Sequence, residues 1–129
     1  MNISKFVAFL VLPALLLLAC ASTNQQGNKI LTEQAFEKKM QHENVVLLDV
    51  RTPEDYQAGH LKNAVLLDYN GGVFDTAFQK LDKEKTYLIY CRSGKRSDGA
   101  ASKMKTAGFK KIYQLKDGIT GWKGDIEKK

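Results

Sequence analysis

A chain of 129 residues holds one compact domain once any leader is set aside, and no internal repeat or second domain is visible in it. Its formal net charge of +6 comes largely from scattered lysines (Lys38, Lys39, Lys62, Lys80, Lys83, Lys85, Lys103, Lys105, Lys110, Lys111) with no aromatic interleaving, which argues against nucleic acid. Such a surface draws small anions and tolerates anionic lipid. The two histidines, His42 and His60, have no metal-ligand spacing with each other or with Cys91, so neither a metal nor another cofactor is expected.

Met1-Asn2-Ile3-Ser4-Lys5 carries one positive charge and leads into an unbroken apolar stretch, Phe6 to Leu18. Thirteen residues are too few for a bilayer that needs about twenty, and they fit the hydrophobic region of a secretory signal peptide. Leu17-Leu18-Ala19-Cys20 then resembles a bacterial lipobox. That resemblance implies a signal peptide over residues 1–19, lipidation of Cys20, and lipid anchoring in the cell envelope with the domain facing the periplasm or the exterior; a monomer is expected. An uncleaved anchor, or a soluble export signal cut near Ala19, are the competing readings. Residues 20–29 are small and polar and are expected to form a flexible tether, which leaves 30–129 as the domain.

Within the domain, Thr32 can cap a helix running to about Gln41 with Ala35, Phe36 and Met40 on one face. Val45 to Leu48 is a continuous apolar run suited to a strand buried on both faces. Thr52 and Pro53 open a short helix that ends at Gly59. Val65 to Leu67 reads as a strand, Gly71-Gly72 as a turn, and Val73 to Leu81 as a helix with Phe74, Ala77, Phe78 and Leu81 toward the core. Tyr87 to Tyr90 is a further buried strand. A helix starting near Ser97 places Ala100, Ala101, Met104 and Ala107 on one face and stops at Gly108; a strand over Lys111 to Leu115 and a helical turn over Ile119 to Lys123 close the chain. Strands alternating with helices predict an α/β fold, a parallel sheet of about five strands with helices on both faces.

The chemistry is expected at Cys91-Arg92-Ser93-Gly94-Lys95-Arg96-Ser97, between the Tyr87 to Tyr90 strand and the next helix. That position is the carboxyl end of a strand, where ligands of such sheets bind, and the helix amino terminus favours an anion. Arg92, Lys95 and Arg96 are expected to add to the field that makes Cys91 a thiolate. If Cys20 carries lipid, Cys91 is left without a disulfide partner in an oxidising compartment, which favours a chemical role for it.

Four residues separate Cys91 from Arg96, one fewer than in the loop of cysteine-dependent phosphatases, and Cys-Arg-x-Gly-x-Arg resembles the active-site loop of the rhodanese family. Leu48-Asp49-Val50-Arg51 with Glu54 and Tyr56, the segment Gly59-His60-Leu61-Lys62-Asn63-Ala64, and Asp117-Gly118-Ile119 with Trp122 resemble that family's other motifs, in its order, over roughly 30–124. The resemblance implies a sulfurtransferase that moves sulfane sulfur from thiosulfate or a related donor to a thiophile through a persulfide on Cys91. The partners implied are a small anionic sulfur donor and a thiol or cyanide acceptor, which includes protein thiols. Cys91 would be the nucleophile, and the side chains and amides of Arg92, Ser93, Gly94, Lys95, Arg96 and Ser97 would bind the donor and the outer sulfur. Asp49 and Arg51 would brace the loop, His60 would be structural, and Trp122 would pack as a lid on the core. The alternatives are a persulfide carrier without turnover and, against the short loop, a phosphatase- or arsenate reductase-like enzyme of the same fold.

Overall fold

A computed structural model describes residues 28–129, so the leader, Cys20 and most of the expected tether lie outside the described residues. The first half comprises β1 (Lys29–Leu31), α1 (Glu33–Met40), β2 (Val45–Asp49), α2 (Pro53–Ala58), β3 (His60–Leu61) and β4 (Val65–Leu66). The second comprises α3 (Val73–Ala77), β5 (Thr86–Tyr90), α4 (Lys95–Thr106), β6 (Lys111–Leu115) and β7 (Ile126–Glu127). Short 3-10 turns cover Phe78–Lys80 and Gly118–Gly121.

Five strands form one parallel sheet in the order β1-β6-β5-β2-β4, as expected of alternating strands and helices. Strand alternation divides its apolar residues between two cores. Leu48, Tyr87, Ile89 and Ile112 face Phe74, Phe78, Ala100, Ala101 and Met104, while Leu47, Leu88, Tyr90 and Leu115 face Phe36 of α1. Both caps expected of Thr32 and Thr52 form, each hydroxyl accepting an amide three residues on. The parallel register sets Asp49 beside Tyr90, which aligns the carboxyl ends of β2 and β5.

Four expectations need correction. α4 begins at Lys95, not near Ser97, because Gly94 takes a left-handed φ of 117° and turns the chain into the helix with no side-chain cap. β1 begins at Lys29, inside the expected tether, and the Asn28 carbonyl side chain accepts from Gln114. The Val73 to Leu81 helix divides into α3 and a 3-10 turn, with Leu81 already extended. The closing turn covers Gly118–Gly121 and is followed by a β3–β7 antiparallel ribbon that the sequence did not announce.

Candidate active site

Cys91 follows directly on β5 and is 1% exposed. Its Sγ accepts the Gly94 amide at 3.1 Å and lies 3.6 Å from Ser97 Oγ. The sulfur stands where a capping side chain would stand at the start of α4, and the positive end of a twelve-residue helix is aimed at it. Burial opposes its ionisation. The amide and hydroxyl of Ser97 and the amides of Gly94 and Ser93 outweigh burial, so the thiol lies below its ordinary value.

The strongest influences that lower it are the hydrogen bonds from Ser97, Gly94 and Ser93. Arg92 and Lys95 are exposed, and the half-buried Arg96 lies in the first turn of α4 with Nη2 3.9 Å from Asp55 Oδ2. Ser93 is exposed at the loop's tip, whereas Ser97 is fully buried.

The loop is held from outside by a segment whose bracing role the sequence did not reveal. The Cys91 carbonyl accepts the Ile119 amide at 2.9 Å, and the Arg92 carbonyl accepts both the Thr120 amide and the Thr120 hydroxyl. Asp117 and Gly118 are both left-handed, at φ 61° and 57°, and this turns the chain back onto the loop. A Cβ on Gly118 would clash with the Arg92 carbonyl, so the position admits glycine alone. The Asp-Gly pair was the available signal; its contact with a loop some 25 residues earlier was not in the sequence.

Asp49 and Arg51 lie on the other side of the strand ends. Arg51 donates through Nε and Nη2 to the Asp49 carboxylate, with Nη2 2.7 Å from Oδ2, and the Arg51 amide donates to Oδ1. The same Nη2 reaches the Gly59 carbonyl at 2.6 Å. Tyr90, the residue before Cys91, donates its hydroxyl to Asp49 at 2.6 Å and accepts the Leu61 amide. Burial, with Asp49 beside it, pushes the Tyr90 phenol far up. Burial works against the Arg51 charge, but Asp49 more than compensates and holds its pKa above the ordinary value.

His60 is buried and stacked on Tyr56 at 3.8 Å between ring centroids, and its Nδ1 meets the Tyr56 carbonyl, a packing arrangement with no bond to Cys91. Trp122 is half-buried against the second core and lines a cavity of about 490 Å³ with Met40, Val45 and Leu47. Because Val45 opens β2, that cavity lies at the amino end of the sheet, away from Cys91. Among the described residues, no three His, Cys, Asp or Glu side chains gather as a metal site, and no helix is long and apolar enough to cross a membrane.

Comparison with known proteins agrees with this geometry. Residues 32–125 match the rhodanese-like domain model. The thiosulfate sulfurtransferase GlpE of Pseudoalteromonas translucida is 33% identical over 87 residues, 67% of this chain and 81% of that protein. The tRNA uridine(34) hydroxylase of Pelagibacter ubique is 33% identical over 113 residues, 87% of this chain; the chain spans 37% of the hydroxylase's length. Among solved structures, a rhodanese-like domain protein from Staphylococcus aureus superposes with a TM-score of 0.68 at 26% identity, covering 78% of this chain and 98% of that one. The chain therefore belongs to the rhodanese-like domain family.

Proposed function

We propose that the chain is a thiosulfate-type sulfurtransferase that carries sulfane sulfur as a persulfide on Cys91. The observation that supports this best is the sulfur itself, seated at a helix amino terminus with the Gly94 amide 3.1 Å away and its thiol held below the ordinary value. The Cys91 thiolate attacks the outer sulfur of thiosulfate. A new S–S bond forms, the old one breaks, and sulfite leaves with the electron pair. Amides at the start of α4 receive the negative outer sulfur of the persulfide. Cyanide or a thiolate then attacks that sulfur, and Cys91 leaves as the thiolate it was at the outset. Arg92, Lys95 and Arg96 draw the dianionic donor to the loop, a role that does not need them to contact Sγ. The similarity to a thiosulfate sulfurtransferase supports this reading.

The domain is proposed to be tethered to a bacterial envelope membrane by lipid on Cys20. A multiply acylated cysteine anchors far more firmly than a single chain.

Intact-mass spectrometry tests the first reading. Thiosulfate is expected to add the mass of one sulfur atom, and cyanide to remove it with release of thiocyanate. No adduct, or hydrolysis of an aryl phosphate in its place, overturns the reading. An adduct that cyanide discharges once but that never turns over identifies a carrier. Incorporation of labelled palmitate, lost in Cys20→Ala, tests the anchor. A soluble product cut before Cys20 refutes it and leaves the chemistry untouched.

A further inference from the structure

Ser97 has a single hydroxyl proton and three acceptors around it: the Gly94 carbonyl at 3.0 Å, Gln114 Oε1 at 2.9 Å and Cys91 Sγ at 3.6 Å. The orientation of the Gln114 amide is fixed by what lies beyond it. Its Nε2 faces Asn28 Oδ1 at 2.6 Å and Asp98 Oδ1 at 3.2 Å, and both of those oxygens can only accept. The amide nitrogen must therefore face them, and Oε1 must face Ser97. Gln114 is 2% exposed, so an Oε1 that loses Ser97 has no ready substitute in water.

We infer that Gln114 is a positioning residue for the reacting sulfur, holding the Ser97 proton while Cys91 is neutral or sulfur-loaded and releasing it when Cys91 is a thiolate. With a neutral thiol, the S–H donates to Ser97 Oγ, Ser97 donates to Gln114, and every group is satisfied. A thiolate can only accept, so the Ser97 hydroxyl must turn toward Sγ and leave Gln114 Oε1 unpaired. Gln114 thus competes with the sulfur for one proton and restrains ionisation. In a persulfide the negative charge sits on the outer sulfur, and the Ser97 proton returns to Gln114. The exchange moves no atom between molecules; it is a rotation of one hydroxyl. It rests on the reading of Cys91 as the reacting sulfur, yet its test does not depend on which donor the protein uses.

The charged groups near this line are Asp98 and Lys95 on α4 and Lys116 and Asp117 after β6, which with Gln114 border a cavity of about 400 Å³. Arg92 and Arg96 stand on the loop side. All of them are shared by the wild type and a Gln114 variant, so the comparison isolates the amide.

The test is the pH dependence of Cys91 alkylation by iodoacetamide in the full chain, followed on the Cys91 peptide by mass spectrometry so that Cys20 does not contribute. Gln114→Met keeps the volume and removes the acceptor; Gln114→Leu replaces it if only that variant melts cooperatively. The midpoint is expected to fall by about half to one pH unit, making alkylation roughly three- to tenfold faster on the acid side of the curve. Ser97→Ala is expected to raise the midpoint, and in that background the Gln114 substitution is expected to do nothing. A midpoint that stays or rises in the Gln114 variant overturns the inference. So does the same shift with Ser97 absent, which would make Gln114 a merely electrostatic or packing neighbour.

Discussion

Tyr90 and Cys91 are adjacent in the chain and meet opposite cores of the sheet, and the polar systems they touch are of opposite kinds. Beneath Tyr90, the Asp49 carboxylate is filled by the Arg51 guanidinium, the Arg51 amide and the Tyr90 hydroxyl, and Arg51 finds a further acceptor at Gly59. Beside Cys91, three acceptors share one serine proton. The saturated system has one low-energy arrangement and can fix the end of β5. The system short of protons has more than one arrangement, and this allows a sulfur to gain and lose charge without the fold moving. A frame and a reacting atom are thus set one residue apart, separated by strand alternation.

The largest way to break this contrast is Cys91→Ser. It is expected to abolish the sulfur adduct and thiocyanate formation while cooperative melting is retained, since the site is on the reacting side and not in the frame. Mass spectrometry and a thiocyanate assay measure the first and a thermal melt the second; undiminished turnover would end the Cys91 mechanism. Asp49→Ala attacks the frame. It strands a buried guanidinium, 6% exposed, and the Tyr90 hydroxyl, and is expected to cost roughly 3–5 kcal/mol in urea unfolding. Tyr90→Phe removes the hydrogen bond to the Asp49 carboxylate and the one from the Leu61 amide, and is expected to cost roughly 1.5–3 kcal/mol. If Asp49→Ala costs no more than Tyr90→Phe, the saturated network is not what holds the strand end.

Legibility followed the same division. Apolar runs announced β2 and β5, because a strand buried on both faces cannot carry polar residues at most positions. The caps at Thr32 and Thr52 and the buried face of α4 followed from side-chain chemistry within a few residues. β1, β3 and β7, of two or three residues each, have no period to read, and their pairing is decided by distant neighbours. The sequence places the start of α4 near Ser97 and the helix begins at Lys95, because Lys95 and Arg96 lie outside its apolar stripe. Within the site, Cys91 and its loop were plain. Gln114 was not, since a glutamine in a strand becomes informative only when Asn28, Ser97 and Asp98 are known to surround it.

A smaller effect separates charge from hydrogen bonding at the loop. Arg96→Ala is expected to slow thiosulfate use by about ten- to a hundredfold, the worth of a charge-assisted contact of roughly 1.5–3 kcal/mol in a partly buried place. Lys105→Ala, on an exposed face of α4, is expected to change little. Lys103 is a poorer control, because its Nζ is 2.7 Å from Asp75 and raised above its ordinary pKa by that contact. Added salt is expected to slow the wild type and to narrow the gap. Equal small losses would show that the loop cations do not guide the donor.

The smallest effect is on stability against pH, and there the two neighbours should have opposite signs. Burial resists ionisation of Cys91, but the donors around it prevail and its folded pKa is depressed. A depressed value means that the folded state favours the thiolate. Its contribution is present in full above the free-cysteine value of about 8.5 and is lost as pH falls through the folded value. Tyr90 is the reverse. Burial first, then Asp49, raise its folded pKa, so its contribution is full below the free-tyrosine value of about 10 and is lost as pH rises beyond it. Urea unfolding of the wild type against Cys91→Ser is therefore expected to show a difference that shrinks on acidification below about pH 8.5. Wild type against Tyr90→Phe is expected to show one that shrinks on alkalinisation above about pH 10. The alkylation midpoint of Cys91 is expected below the free-cysteine value. A midpoint at or above it, with both differences moving in the same direction, would mean that the two sides of the strand end are not chemically distinct.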